Sequence, residues 1–282
     1  MSRIVKFTKM HGAGNDFVVL DGLGSDLPPL EPFARQFSDR YRGIGFDQLL
    51  VLRASSVADF RMDIYNAEGG QVEMCGNGVR AFFKYLRDRG LTDRDAIRVE
   101  TLGGVVAPRW VGEDRVAVDM GPPVLAPTKI PTRLGEGDGP VLDVPLEAAG
   151  RALRVSSVSM GNPHAVIFVD DVDAYPVEEV GTAVCGHDAF PDRVNVEFVQ
   201  PLTRERLRQR TWERGVGETL ACGSGACAVG VVSALRGIAE PRITIELRGG
   251  ELEIEWPGGN ESVIMTGPAA EVYSGRVGVG DA

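Results

Sequence analysis

Cys75 opens the tetrapeptide "CGNG" and Cys222 opens "CGSG", and each is followed by a run that reads as a helix. Glycines after each cysteine let backbone N–H groups approach a ligand closely, and a helix N-terminus attracts a carboxylate. Each stretch therefore offers a thiol beside a carboxylate cradle. A thiol titrates near ~8.5, so both of its protonation states are reachable at neutral pH, and a helix dipole favours the thiolate. Two such groups on opposite faces of one carbon can invert a stereocentre. One thiolate removes the α-proton while the opposite thiol delivers a proton from the other side. Charge developing on the substrate carboxylate would be met by backbone dipoles aimed at it in a dry site. Pyridoxal chemistry is not expected, since lysine is scarce (Lys6, Lys9, Lys84, Lys129) and no Gly-rich phosphate cup stands out. No cofactor is expected at all.

The elements that position the cysteines come in duplicate. Cys75 and Cys222 are 147 positions apart in a chain of 282 residues. Sliding the sequence by that shift lays Gly76 on Gly223, Gly78 on Gly225, Ala81 on Ala228 and Gly90 on Gly237. Upstream, "IYNAEGGQVEMCGNG" overlies "TWERGVGETLACGSG", Gly14-Asn15 meets Gly161-Asn162, and Gln48 meets Asn195. After the helices the shift becomes 146, and Glu100, Gly103 and Gly104 meet Glu246, Gly249 and Gly250. Matches in order at a nearly constant shift mean two copies of one module.

Each copy alternates short β-branched, apolar segments such as "FVVLD" and "QLLVLR", or "AVIFVD" and "VNVEFV", with turn residues, which predicts strands. One long helix interrupts them, at about 78–89 and 225–236. The second helix, "GACAVGVVSAL", has no polar face and so must be buried all round. The expected fold is α+β: two homologous modules, each a mostly antiparallel sheet or barrel wrapped around one central helix, related by a pseudo-twofold axis. The first module is expected over 1–123, a Pro/Gly-rich linker region over 124–148 and the second module over 149–269, with the 270–282 tail packing on the first. Placed face to face, the modules would bring both thiols to one bound molecule.

The net charge of −10 argues against a nucleic-acid groove. The N-terminus lacks an apolar core of signal-peptide length, and no stretch approaches the roughly 18 apolar residues of a membrane helix. A cytoplasmic location with reduced thiols is expected. Four cysteines without a CxxC and three histidines make poor material for a zinc site, so no metal is expected.

Six stretches fit one family in order: "MHGAGNDFVVLD", "GIGFDQLL", "YNAEGGQVEMCGNGVRAF", "GNPHAVIFV", "VNVEFV" and "ERGVGETLACGSGACA". Together they are specific where "CGNG" alone would be weak. By them the sequence resembles the diaminopimelate epimerases, among the cofactor-independent amino-acid racemases. The resemblance implies epimerisation of LL-diaminopimelate to meso-diaminopimelate, a step toward lysine and cell-wall precursors. Cys75 and Cys222 then match the acid/base pair, and His164 and Glu213 the residues that tune the thiols. Gly76, Asn77, Gly223 and Ser224 match the segments holding the carboxylate at the reacting centre. Asn15, Gln48, Asn66, Asn162, Asn195, Glu213 and Arg214 match the other substrate contacts, Arg214 with the asparagines gripping the distal carboxylate and amine. The resemblance also suggests a homodimer.

Plainer readings stand beside these. Cys185 and Cys227 read as small core residues, His11 as a turn residue and His187 as loop surface. His164 can be a packed residue, Glu213 a strand-end charge, Arg214 a surface cation, and an asparagine beside glycine a turn former. Two other functions compete. A racemase or epimerase of another amino acid, such as proline or hydroxyproline, on the same scaffold would keep both cysteines, and proline would need no distal grip. An amino-acid-binding protein, redox-sensing or merely binding, would use the cysteines without proton transfer.

Overall fold

The computed structural model of the chain describes residues 3–24, 26–135, 137 and 139–280. It divides into two units, the first running to Val118 and resuming at Gly267, the second spanning Asp119–Thr266. In chain order the first unit carries β1 (Arg3–Gly12), β2 (Asn15–Asp21), α1 (Leu30–Phe37), β3 (Gln48–Arg53), β4 (Phe60–Asn66), α2 (Gly76–Asp88), β5 (Val99–Thr101), β6 (Gly104–Val106), β7 (Arg109–Gly112) and β8 (Arg115–Asp119). The second carries β9 (Val141–Ala148), β10 (Arg151–Ser159), β11 (Pro163–Phe168), α3 (Val177–Cys185), β12 (Asn195–Pro201), β13 (Arg206–Glu213), β14 (Gly217–Thr219), α4 (Gly223–Leu235), β15 (Arg242–Leu247), β16 (Gly250–Glu255) and β17 (Ile264–Pro268). Last comes β18 (Ala270–Val279), which pairs antiparallel along β1 in the first unit.

Both units are wired alike. In the first, β1 and β2 form an antiparallel hairpin, β2 pairs parallel with β3 across α1, β3 antiparallel with β4, β4 parallel with β5 across α2, and β5 antiparallel with β6. In the second, β10 to β13, β15 and β16 repeat that sequence of pairings, with α3 and α4 in the crossovers. Across the central parallel pairs the repeat holds to the residue. Phe17 stands opposite Gln48 on β2 and β3, and His164 opposite Asn195 on β11 and β12.

Each cysteine helix is the core element of its unit. α2 lies against β1, β2, β3 and β18, and α4 against β10, β11, β12, β15 and β16. From Gly223 to Ser233 every residue of α4 except Ser224 is buried, as its apolar circumference requires. Small residues permit the close approach: a Cβ on Gly230 would lie 2.6 Å from Ile254 Cγ2.

One stretch departs from expectation. Within 124–148, residues Val141–Ala148 form β9 along β10, and Val141, Leu146 and Ala148 enter the second unit's core. Pro145 obscured this strand in the sequence. It is tolerated because β9 is the last strand in the sheet order, where one side needs no ladder partner.

Candidate active site

The helix starts are built around the cysteines themselves. Cys75 and Cys222 are extended residues at the N-caps of α2 and α4. Cys75 Sγ accepts from the Gly78 N–H at 3.3 Å, and Cys222 Sγ from the Gly225 N–H at 3.4 Å. The sulfur thus takes the place of the usual N-cap oxygen. It also accounts for the helices starting at 76 and 223, two residues before the sequence expectation. The amides of Gly76, Asn77, Gly223 and Ser224 lie in the first turn, where helical N–H groups have no intrahelical acceptor. Such amides suit an anion.

In the first unit, the β1–β2 turn at Ala13-Gly14, both with positive φ, delivers Asn15 to Cys75. Asn15 Oδ1 accepts from Asn77 Nδ2 at 3.3 Å and lies 3.9 Å from the Cys75 thiol. Its orientation is fixed from behind, because Asn15 Nδ2 donates to Asp47 Oδ2 at 2.7 Å. Asp47 belongs to a cluster with Asp16, Lys9 and Arg40. Burial pushes the Asp47 carboxyl up, helped by the Asp16 charge. Burial acts the same way on Asp16, but hydrogen bonds from Arg40 and Lys9 outweigh it and hold that carboxyl at about 2. Its ordinary value is 3.8. A depressed folded-state pKa contributes stability that is full above the unfolded value and is lost as pH falls through the folded one. The urea midpoint of the wild type should therefore exceed that of Asp16→Asn at about pH 6, with the gap closing between about pH 4 and pH 2. A gap that stays constant down to the lower limit would contradict this role for the ion cluster.

Gln48 and Asn66 face each other across β3 and β4. Gln48 Oε1 and Asn77 Oδ1 are buried without a hydrogen-bond partner among the described residues. Buried polar atoms left unsatisfied are costly, so these two acceptors suit a bound donor such as a substrate ammonium. Asn66 Oδ1 is committed to its own turn, accepting from the Glu68 and Gly70 amides at 3.1 and 2.8 Å. Only its Nδ2 remains for a ligand.

In the second unit, Cys222 Sγ lies 3.6 Å from Ser224 Oγ. Burial pushes the Cys222 thiol well up, and the charges of Glu213 and Glu197 push it further. The hydrogen bonds from Ser224 and the Gly225 amide pull the other way. His164 Nδ1 lies 2.8 Å from Glu197 Oε1, and His164 Nε2 lies 2.9 Å from Asn162 Oδ1. Asn195 Oδ1 accepts from the Arg214 backbone N–H at 2.8 Å. The Arg214 guanidinium donates to the Asp192 carbonyl at 2.9 Å. Glu213 accepts from Thr219 Oγ1.

Within each unit the expected residues therefore gather in connected groups: Asn15, Asn77 and Cys75; Gln48 with Asn66; Asn162 with His164; Asn195 with Arg214; Glu213 and Ser224 with Cys222. Two neighbours escaped the sequence reading. Asp47, in "FDQLL", anchors Asn15. Glu197, in "VNVEFV", shares a strand face with Asn195, and a lone acidic residue in that apolar run was the available signal. Cys185 and Cys227 are buried core residues, as expected.

The profile of the family described as "Diaminopimelate epimerase" matches residues 7–126 and 156–272, which takes in both helix starts. The chain belongs to the diaminopimelate epimerase family. A family relative from Pseudomonas entomophila, named diaminopimelate epimerase, is 48% identical over 277 residues, covering 97% of this chain and 99% of its own length. Another of that name, from Aromatoleum aromaticum, is 47% identical and covers 98% of this chain and 99% of its own. The fold of this chain extends to more distant proteins. The crystal structure of a hydroxyproline epimerase from Agrobacterium vitis with bound trans-4-hydroxy-L-proline superposes with a TM-score of 0.71. It covers 99% of this chain and 94% of its own at 17% identity, a likeness of fold alone.

Proposed function

We infer that the protein is an isomerase that interconverts LL- and meso-diaminopimelate by proton transfer at one α-carbon, with Cys75 and Cys222 as the two acid/base groups. The family membership supports the substrate. One observation carries the chemistry: each repeat presents its cysteine at a helix N-cap, with first-turn amides beside the sulfur.

In this reading the amides of Gly76, Asn77, Gly223 and Ser224 hold the carboxylate at the reacting centre and take up charge as the α-proton leaves. One cysteine removes that proton as thiolate while the other, as thiol, protonates the opposite face. The roles exchange in the reverse direction. The carboxylates beside Cys222 favour its thiol form before substrate binds. Both proton transfers are thereby supplied by the chain itself, and no cofactor enters. Arg214, Asn66 and Asn195 grip the distal amino-acid group, and His164 and Glu213 adjust the thiols. We place the enzyme in the cytoplasm as a homodimer acting in lysine and cell-wall precursor synthesis, its assembly to be read by light scattering.

The direct test is solvent exchange. Reduced protein incubated with meso-diaminopimelate in heavy water should incorporate deuterium at Cα and generate the LL isomer, while proline in a parallel tube stays unlabelled. Label in proline alone would move the substrate to the proline racemase class. The absence of label in both would contradict the epimerase reading.

Arg214→Ala tests the distal grip. A charge-assisted contact to a carboxylate is worth about 1.5–3 kcal/mol, so KM for diaminopimelate should rise about 10- to 100-fold. Reactivity of the cysteines toward a small alkylating reagent should not change. An unaltered KM would remove Arg214 from the substrate site.

A further inference from the structure

Among the buried positions at which the two repeats differ, one pair stands beneath the cysteine helices. Under α2 the pair is Phe17 on β2 and Leu50 on β3, both fully buried. The same repeat positions under α4 are His164 on β11 and Glu197 on β12, also fully buried. The fold accepts an apolar pair at this place in one unit, so packing alone does not demand a histidine and a carboxylate in the other. Burying two ionisable groups is unfavourable unless they are paired. The contrast extends to the glycine above each pair. A Cβ on Gly78 would lie 3.2 Å from Leu50 Cδ2, and a Cβ on Gly225 would lie 2.6 Å from Glu197 Oε1 and 3.2 Å from Cys222 Sγ. The Glu197 carboxylate therefore lies directly beneath the first turn of α4, within reach of the sulfur's own surroundings.

We propose that Glu197 is a positioning residue of the Cys222 half-site: it locks the His164 ring through Nδ1 and sets a buried negative charge beside the Cys222 sulfur. The proposal rests on the epimerase reading and adds to it a residue that acts through two others. A carboxylate only accepts, so the hydrogen bond to Glu197 Oε1 requires the proton on His164 Nδ1. At Nε2 stands Asn162, whose amide can offer oxygen or nitrogen by a flip. The ring is thus held at both nitrogens, by Glu197 and by Asn162. The groups facing Cys222 within the second unit are Glu197 from β12, Glu213 from the end of β13 and Ser224 from α4, with His164 from β11 behind Glu197. Removing the Glu197 charge should make the Cys222 thiolate easier to form.

Three variants test this. Glu197→Gln keeps an acceptor for Nδ1 and removes the charge. Glu197→Leu removes both, using a side chain already tolerated at the matching position of the first unit. His164→Phe/Glu197→Leu recreates the whole apolar pair and controls for folding. With only three histidines in the chain, the ring-nitrogen NMR signals of His164 can be assigned by substitution.

In the wild type, Nδ1 should be protonated in a single tautomer. In Glu197→Leu the signals should average between tautomers, and kcat should fall about 10-fold or more with KM changed by less than about threefold. In Glu197→Gln the tautomer should be retained and kcat partly restored. The pH midpoint for modification of Cys222 by methyl methanethiosulfonate, mapped by mass spectrometry, should move to lower pH. Wild-type ring signals in Glu197→Leu, or an unshifted Cys222 midpoint in Glu197→Gln, would overturn the proposal. So would a Glu197→Leu defect that is wholly loss of fold, with Glu197→Gln behaving as wild type. Failure of the epimerase reading would instead appear as absence of exchange in the wild type.

Discussion

Alanine at either Cys75 or Cys222 should lower kcat for epimerisation by about a thousandfold or more, since general acid–base catalysis contributes roughly 10²–10⁴ and both groups act in one event. The double variant should lose little beyond either single one, because a reaction needing both partners fails once one is gone. Alanine, however, also deletes the N-cap acceptor for Gly78 or Gly225, which costs a helix about 1 kcal/mol. Serine separates the two effects. Its hydroxyl is a better N-cap than a thiol, but it ionises far too weakly to serve as the base. Cys75→Ser and Cys222→Ser should therefore melt at or above the wild-type temperature, bind diaminopimelate by calorimetry and turn over no faster than the alanine variants. A serine variant retaining kcat within about tenfold of wild type would remove that cysteine from the proton-transfer step.

Much of this arrangement was legible from the repeat. The shift of 147 that aligned the cysteines also relates the register of β2 with β3 to that of β11 with β12, so Gln48 and Asn195 hold equivalent places, whereas the β10–β11 pairing is one residue out of step with β1–β2 and Asn162 stands just before β11. The illegible parts have local causes. The helices begin at the glycines, which read as loop because they lack helix propensity, while the capping cysteine makes those positions helical. β9 was hidden by a proline that only an edge strand tolerates. Glu197 was hidden by its repeat partner. Leu50 is an ordinary core residue, and alternation along "VNVEFV" assigns Glu197 the same inward face. Sequence pattern gives the direction of a side chain, but not which neighbour hydrogen-bonds to it. That partner is His164, on another strand, 33 residues away. The same limit explains why Asn66 reads equally as turn former and ligand residue: its oxygen is used by the turn and its nitrogen is not.

Gly225→Ala should be among the most damaging single-methyl changes in the molecule, although helix propensity points the other way. Position 225 lies in the first turn of α4, where exchanging glycine for alanine ordinarily stabilises a helix by up to about 1 kcal/mol. Here the added Cβ would lie 2.6 Å from Glu197 Oε1 and 3.2 Å from the Cys222 sulfur. A glutamate tip usually moves aside at little cost. This one is fully buried and held by His164 at 2.8 Å, so it moves only by giving up that hydrogen bond. Overpacking of this kind costs about 1–3 kcal/mol, which in a chain of this size lowers the melting temperature by a few degrees, about 2–4 °C per kcal/mol. The catalytic loss should be larger than the stability loss, because an ångström-scale displacement of a reacting group costs about a hundredfold in rate. Gly78→Ala is the internal control. Its Cβ would meet the methyl of Leu50 at 3.2 Å and Cys75 Sγ at 3.5 Å, contacts that a small shift of a leucine relieves. The equivalent methyl should therefore reduce kcat by less than about tenfold in the first unit and by about a hundredfold in the second. Equal losses would show that the carboxylate beneath α4 has no part in holding Cys222.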